Sequence, residues 1–199
     1  MIRLGSVTDP EPEPEELSRR NVRLWAVVLL CLVGVVGLNM VRGSGSGGEA
    51  PQLSEAVRAS LEQDGCTVDS RADKGQAHVA APTYSLNPPA GGDHFSGPAT
   101  AGFYEMANVP ADGRLVHSLE HGFVVVWYRP DGVAPATVDG LRDLAGRHRW
   151  VLVVPRPSLP TALAATAWHR RLLCPDGADG PIGSFVTAFR DQGPEKGFV

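Results

Sequence analysis

The clearest pattern in the chain is a polar cluster that runs straight into an apolar segment. Val116-His117-Ser118-Leu119-Glu120-His121-Gly122 is followed by Phe123-Val124-Val125-Val126-Trp127-Tyr128. The second half is β-branched and aromatic, and it reads as a buried strand. The first half places two histidines and a carboxylate within five positions, which is unusual beside a core strand unless those groups have partners. Upstream, Leu53, Val57 and Leu61 recur every four residues and Gly65 follows as a stop, so a first amphipathic helix is expected. A short strand is expected over Ala77–Ala81 and another over Gly102–Met106. Downstream, Thr137 is expected to cap a helix with Val138, Leu141 and Leu144 on one face. Trp150–Val154 is a strong strand ended by Pro155 and Pro157, and Ala162–Leu173 is read as strand. Pro181 is expected to start a last helix with Ile182, Phe185 and Phe189 on one side. Trp127, Trp150 and Trp168 fall in apolar runs and are expected in the core. The fold class is α+β: a small mixed or antiparallel sheet with peripheral helices, preceded by one transmembrane helix.

The same patterning divides the chain. Residues 1–23 alternate proline and glutamate over Asp9–Glu16 and are expected to be a disordered cytoplasmic tail. Residues 24–41 form an apolar run broken only by Asn39, long enough to cross a hydrocarbon core. Arg19, Arg20 and Arg23 precede it and Arg42 follows, so the N-terminus is expected inside the cell membrane and the remainder outside. A long acidic leader and the absence of a small-x-small cleavage site favour an uncleaved single-pass anchor over a signal peptide. Residues 42–50 are a Gly/Ser linker and 51–199 an extracytoplasmic globular domain.

Composition adds little beyond this. The net charge of -4, with Lys and Arg scattered, gives no footprint for a nucleic acid. High Gly (23) and Pro (17) imply many turns and long loops. Of these, Asn87-Pro88-Pro89-Ala90-Gly91-Gly92-Asp93-His94-Phe95-Ser96-Gly97-Pro98 is too long and too turn-rich for a plain connector.

Three cysteines remain to be placed. Cys31 falls in the apolar run and is read as a small apolar residue there. Cys66 and Cys174 fall in the exported part and are expected to pair, closing a loop of about a hundred residues and stabilising by roughly 4–5 kcal/mol.

The candidate chemistry is histidine chemistry. His117-Ser118-Leu119-Glu120-His121 fits the H-x-x-E-H spacing of inverted zinc peptidases, in which both histidines bind zinc and the glutamate acts as base. In a helix the two histidines lie about 6 Å apart and can share a metal. In a strand they lie about 13 Å apart and cannot. No long helix or second ligand helix accompanies the motif, so a metal-dependent hydrolase using Glu120 is the weakest reading. The favoured ligand set is His78, His94, His117 and His121, with Glu120, Tyr84, Tyr104 and Met106 orienting or lining the site. Imidazoles suit copper or zinc, and a thioether would favour Cu(I). The competing reading is an envelope interaction or scaffold module in which the His/Glu group is a structural network. His148 and His169 neighbour arginines and are expected on the surface.

Taken together, these residues carry a resemblance. His78, Tyr84, Asn87-Pro88-Pro89, Gly92-Asp93-His94, Gly102-Phe103-Tyr104 and His117–Gly122, continuing through Val153-Val154-Pro155, Ala167-Trp168 and Cys174, resemble the domain of unknown function 3105 family, found mainly in bacteria. One stretch departs from its pattern: Ala90-Gly91-Gly92-Asp93 stands where Thr-Ser-Gly-Pro is usual, so two hydroxyls are lost. The resemblance implies an exported, anchored or secreted domain of the bacterial cell envelope, with an unknown envelope partner possible and no established activity.

Overall fold

A computed structural model of the chain describes residues 53–175 and 179–195. These form an α+β domain on a six-stranded mixed sheet of order β1-β6-β5-β3-β4-β2. The strands are β1 (Thr67–Asp69), β2 (Gly102–Phe103), β3 (Val124–Tyr128), β4 (Val151–Pro155), β5 (Leu163–Ala167) and β6 (Arg170–Cys174). Four α-helices lie among the described residues: α1 (Glu55–Leu61), α2 (Asp112–Glu120), α3 (Pro135–Arg147) and α4 (Asp179–Phe189). β3 and β4 are parallel, joined through α3, and β2 adds parallel to β4. On the other side β5, β6 and β1 continue antiparallel.

The central strand explains its own sequence. Val124, Val126 and Tyr128 face one core with Val151, Val153, Leu163 and Leu172, closed by Leu141 of α3 and by Ile182 and Phe185 of α4. Val125 and Trp127 face the other core with Leu152, Val154 and Ala164, closed by Leu115 and Leu119 of α2. Both faces are covered, so no polar alternation is tolerated. Trp127 is buried and its indole N–H donates to Thr166 Oγ1 at 2.9 Å, while Trp150 and Trp168 are only half-buried at the edge of the second core.

Several expectations shift. Ala77–Ala81 is not a strand: its ladder pairing is confined to one parallel bridge between His78 and His94. Pro82 and Gly75 flank it and turn the backbone away before a ladder can extend. Gly102–Met106 shortens to a two-residue strand, because the chain winds into a 3-10 turn at Met106–Asn108. Thr137 does not cap α3. Ala134 is the N-cap, and Pro135 opens the helix where a missing N–H costs nothing. The segment 162–173 is strand as expected, but divided by a turn at Trp168-His169 into β5 and β6. α4 begins at Asp179, two residues before Pro181. Cys66 and Cys174 form the expected disulfide, joining the start of β1 to the end of β6. The expected tail, membrane span and linker lie outside the described residues, and no helix among the described residues is long and apolar enough to cross a membrane.

Candidate metal centre

α2 carries the polar cluster because its two faces do different work. Leu115 and Leu119, four apart, lie on the sheet. His117 and Glu120, three apart, share another face. Gly122 ends the helix at φ +89°, with its N–H on Leu119 O at 3.0 Å and Phe123 N–H on Ser118 O at 3.0 Å. That pairing is a Schellman closure, and it converts α2 into β3 across three residues, His121 to Phe123. The stretch is therefore helical through Glu120 and extended from Val124, which the strand half of the sequence pattern conceals.

The long loop is laid over this face of α2. Phe95 N–H donates to Gly113 O at 3.2 Å, and Ala99 N–H to Ser118 Oγ at 2.9 Å. A side chain at Gly113 would strike the Phe95 ring and Pro82, so glycine is what lets the loop close. His94 is thereby buried against α2. Its partner segment is held by Val79 N–H on His94 O at 2.8 Å and His94 N–H on Ala77 O at 3.0 Å, which brings His78 alongside. The hairpin turn closes the far side: His169 N–H donates to Ala90 O at 2.7 Å, and Trp168 meets His94 edge-on at 6.1 Å between centroids.

His78, His94, His117 and Glu120 converge, each offering a ligand atom within 4.8 Å of the others. His94, His117 and Glu120 are 0%, 3% and 1% exposed, and His78 is open to solvent. Two backbone carbonyls set the tautomers. His94 Nδ1–H donates to Gly92 O at 2.9 Å, and His117 Nδ1–H to Phe95 O at 2.6 Å. Each ring then turns its Nε2 toward the group, the orientation a carbonyl imposes on a metal-ligating histidine; His94 Nε2 has no hydrogen bond there, whereas His117 Nε2 lies 2.8 Å from His121 Nε2. Gly92 sits at φ +113°, a conformation that favours glycine, so Gly92 in the departing stretch serves the site by aiming its carbonyl.

Three buried atoms here lack hydrogen bonds: His94 Nε2, Glu120 Oε1 and Glu120 Oε2. His94 Nε2 and Glu120 Oε2 are 3.0 Å apart but are not aligned on each other. Buried polar atoms are nearly always bonded, and leaving one unmet costs about 1–3 kcal/mol. Two electron-pair donors side by side that do not point at each other could both serve one metal ion. For metal–ligand bonds of about 2.1 Å, right-angled vertices stand about 3.0 Å apart.

His121 sits beside this group. Its Nε2 lies 2.8 Å from His117 Nε2, and its Nδ1 is 3.8 Å from Glu195 Oε2. Glu120, expected to orient a ligand, stands instead among the donors. Tyr84 lies against the loop, its hydroxyl donating to Asp93 O at 2.8 Å; burial and then the carboxylates of Asp112, Asp73 and Asp93 raise its pKa. Tyr104 and Met106 are placed elsewhere. The Tyr104 hydroxyl donates to Thr100 O at 2.6 Å with its ring on the second core, and Met106 is half exposed in the turn after β2. His148 and His169 are not surface residues but half-buried: Arg190 donates to His148 Nδ1 at 3.2 Å, and His169 stacks on Trp168 at 4.9 Å. Burial lowers the pKa of His169, and Arg170 beside it acts the same way.

One contributor had no sequence signal beyond a glycine. Residues 190–195 cross the end of α2, with Asp191 N–H on Gly122 O at 2.7 Å and Glu195 N–H on Glu120 O at 3.1 Å. A side chain at Gly193 would collide with Glu120 O and Gly122 N. Only an unexplained glycine between Gln192 and Pro194 marks this close approach in the sequence.

Residues 77–199 match the model of a family described as Protein of unknown function (DUF3105). The matched segment contains all four converging residues and leaves α1 and Cys66 outside it. No curated protein and no solved structure matches the chain.

Proposed function

The chain belongs to the DUF3105 family, and from that premise we propose that its domain binds one divalent transition-metal ion through His78, His94, His117 and Glu120. The observation that carries this reading is the set of unbonded buried atoms, His94 Nε2 and both Glu120 oxygens, converging at the end of α2. Those atoms have no hydrogen bond although His94 Nε2 and Glu120 Oε2 lie 3.0 Å apart, whereas His117 Nε2 is bonded to His121 Nε2 at 2.8 Å, a bond that a metal on His117 would replace. The donor set is three imidazoles and a carboxylate, with both exported cysteines taken up in the disulfide and Met106 elsewhere. Such a nitrogen and oxygen set suits Zn(II) or Cu(II) better than Cu(I). It also differs from the peptidase use of H-x-x-E-H, since Glu120 joins the donors in place of His121. In this reading the domain is held at the outer face of the cell membrane by the 24–41 span, its N-terminus in the cytoplasm, and the centre faces the envelope.

The test is metal content. Full-length protein without a histidine tag, exposed to zinc or copper and desalted, is expected to retain about one equivalent by elemental analysis. His117→Ala is expected to retain little while keeping its circular dichroism. A wild-type protein that retains no metal contradicts the proposal.

A further inference from the structure

Resting on that metal reading, we propose that the centre is an exchangeable one, in which His78 is a displaceable ligand and a small anion from solvent can take the position on its side. The four donors are not equivalent. His94, His117 and Glu120 are buried, and His94 and His117 are each fixed by a backbone carbonyl on Nδ1. His78 is exposed, and among the described residues no hydrogen bond fixes its ring.

The His78 ring covers the group from outside. It stacks on His117 at 4.8 Å with an interplanar angle of 30°, and meets the edge of His94 at 5.1 Å and 74°. Turning it away breaks no buried hydrogen bond, whereas moving His94 breaks its bond to Gly92 O and moving His117 breaks those to Phe95 O and His121 Nε2. The His78 segment is tied to the His94 segment by the two bonds of the bridge and by Ala77 N–H on Asp93 Oδ1 at 2.9 Å.

The buried trio of two imidazoles and one carboxylate therefore forms a fixed platform on one side of a metal. The three buried donors approach from the protein side, and exposed His78 is the donor that solvent reaches. A divalent ion held by one carboxylate keeps a net positive charge, which selects an anion.

The experiment uses the full-length chain loaded with Co(II), whose visible bands report coordination, and azide as the probe. Wild type is expected to load about one equivalent and to show a saturable spectral change with azide. His78→Ala is expected to load as well, with Co(II) affinity reduced by about ten- to a hundredfold. Its azide affinity should rise about tenfold, because the ring no longer competes for the position. Co(II)-loaded wild type whose spectrum ignores azide would overturn exchangeability and leave the metal reading standing. So would folded His78→Ala that takes up no Co(II). Failure of wild type to load any Co(II) would overturn both.

Discussion

Replacing Glu120 by glutamine separates a metal site from a structural network by the sign of its effect. The Glu120 carboxyl is 1% exposed with neither oxygen hydrogen-bonded. An unmet buried polar group costs about 1–3 kcal/mol, and more when it carries charge. Glutamine keeps the shape, removes a carboxylate oxygen and supplies an N–H₂ donor within reach of His94 Nε2. Glu120→Gln is therefore expected to raise the unfolding free energy of the metal-free protein by about 1–3 kcal/mol. The melting temperature should rise by about 2–4 °C for each kcal/mol in a domain of this size. Metal reverses the order. At a free metal concentration a hundredfold above its dissociation constant, wild type gains about 2.7 kcal/mol. The variant, short of one anionic donor, should gain almost none. Urea unfolding in chelator and in excess zinc, followed by circular dichroism, measures both differences. If Glu120→Gln lowers metal-free stability by about 3–5 kcal/mol, as breaking a buried ion pair does, the group is a structural network and the reasoning fails.

Two further expectations concern the same helix. Burial holds the His117 imidazole below its ordinary value of 6.5, outweighing the bond to Phe95 O, and His94, His121 and His78 act in the same direction as burial. The unfolded chain then binds more protons than the folded one below about pH 6.5, so metal-free stability should fall as pH drops through and below that value. Urea midpoints taken from about pH 8 to pH 5 should show the decline, and His117→Ala should flatten it; an unchanged slope in the variant would assign the decline to other groups. Gly193→Ala pushes a methyl into Glu120 O and Gly122 N, backbone atoms that cannot step aside. A loss of about 3 kcal/mol or more in thermal or urea unfolding is expected, and a loss under about 0.5 kcal/mol would mean that residues 190–195 do not pin the end of α2.

The parts of this domain that could be read in the sequence are those set by local periodicity. β3 and β4 announce themselves as unbroken apolar runs because both of their faces are covered, and α1 and α4 show their apolar stripes. The disulfide followed from there being two cysteines outside the apolar run of residues 24–41. The site was harder, because its geometry is set by tertiary closure. His78 and His94 meet across a bridge formed when a glycine-rich loop folds back, and no period in the sequence encodes that return. Glu120 reads as an outer group until α2 is known to be helical through residue 120, which turns it to the same face as His117. Tyr104 and Met106 were chosen for their residue types, and two residues of edge strand followed by a 3-10 turn carry them elsewhere. The carbonyls of Gly92 and Phe95, which aim the two imidazoles, carry no side-chain signature at all.

The most direct test of the metal centre is anomalous diffraction from crystals of zinc- or copper-loaded protein at the absorption edge of that metal. One strong peak is expected about 2.0–2.2 Å from His94 Nε2, His117 Nε2 and a Glu120 oxygen, with His78 or an exchangeable ligand completing the set. A map with no peak there, and with waters bridging His94 Nε2 to Glu120 instead, would contradict the metal reading.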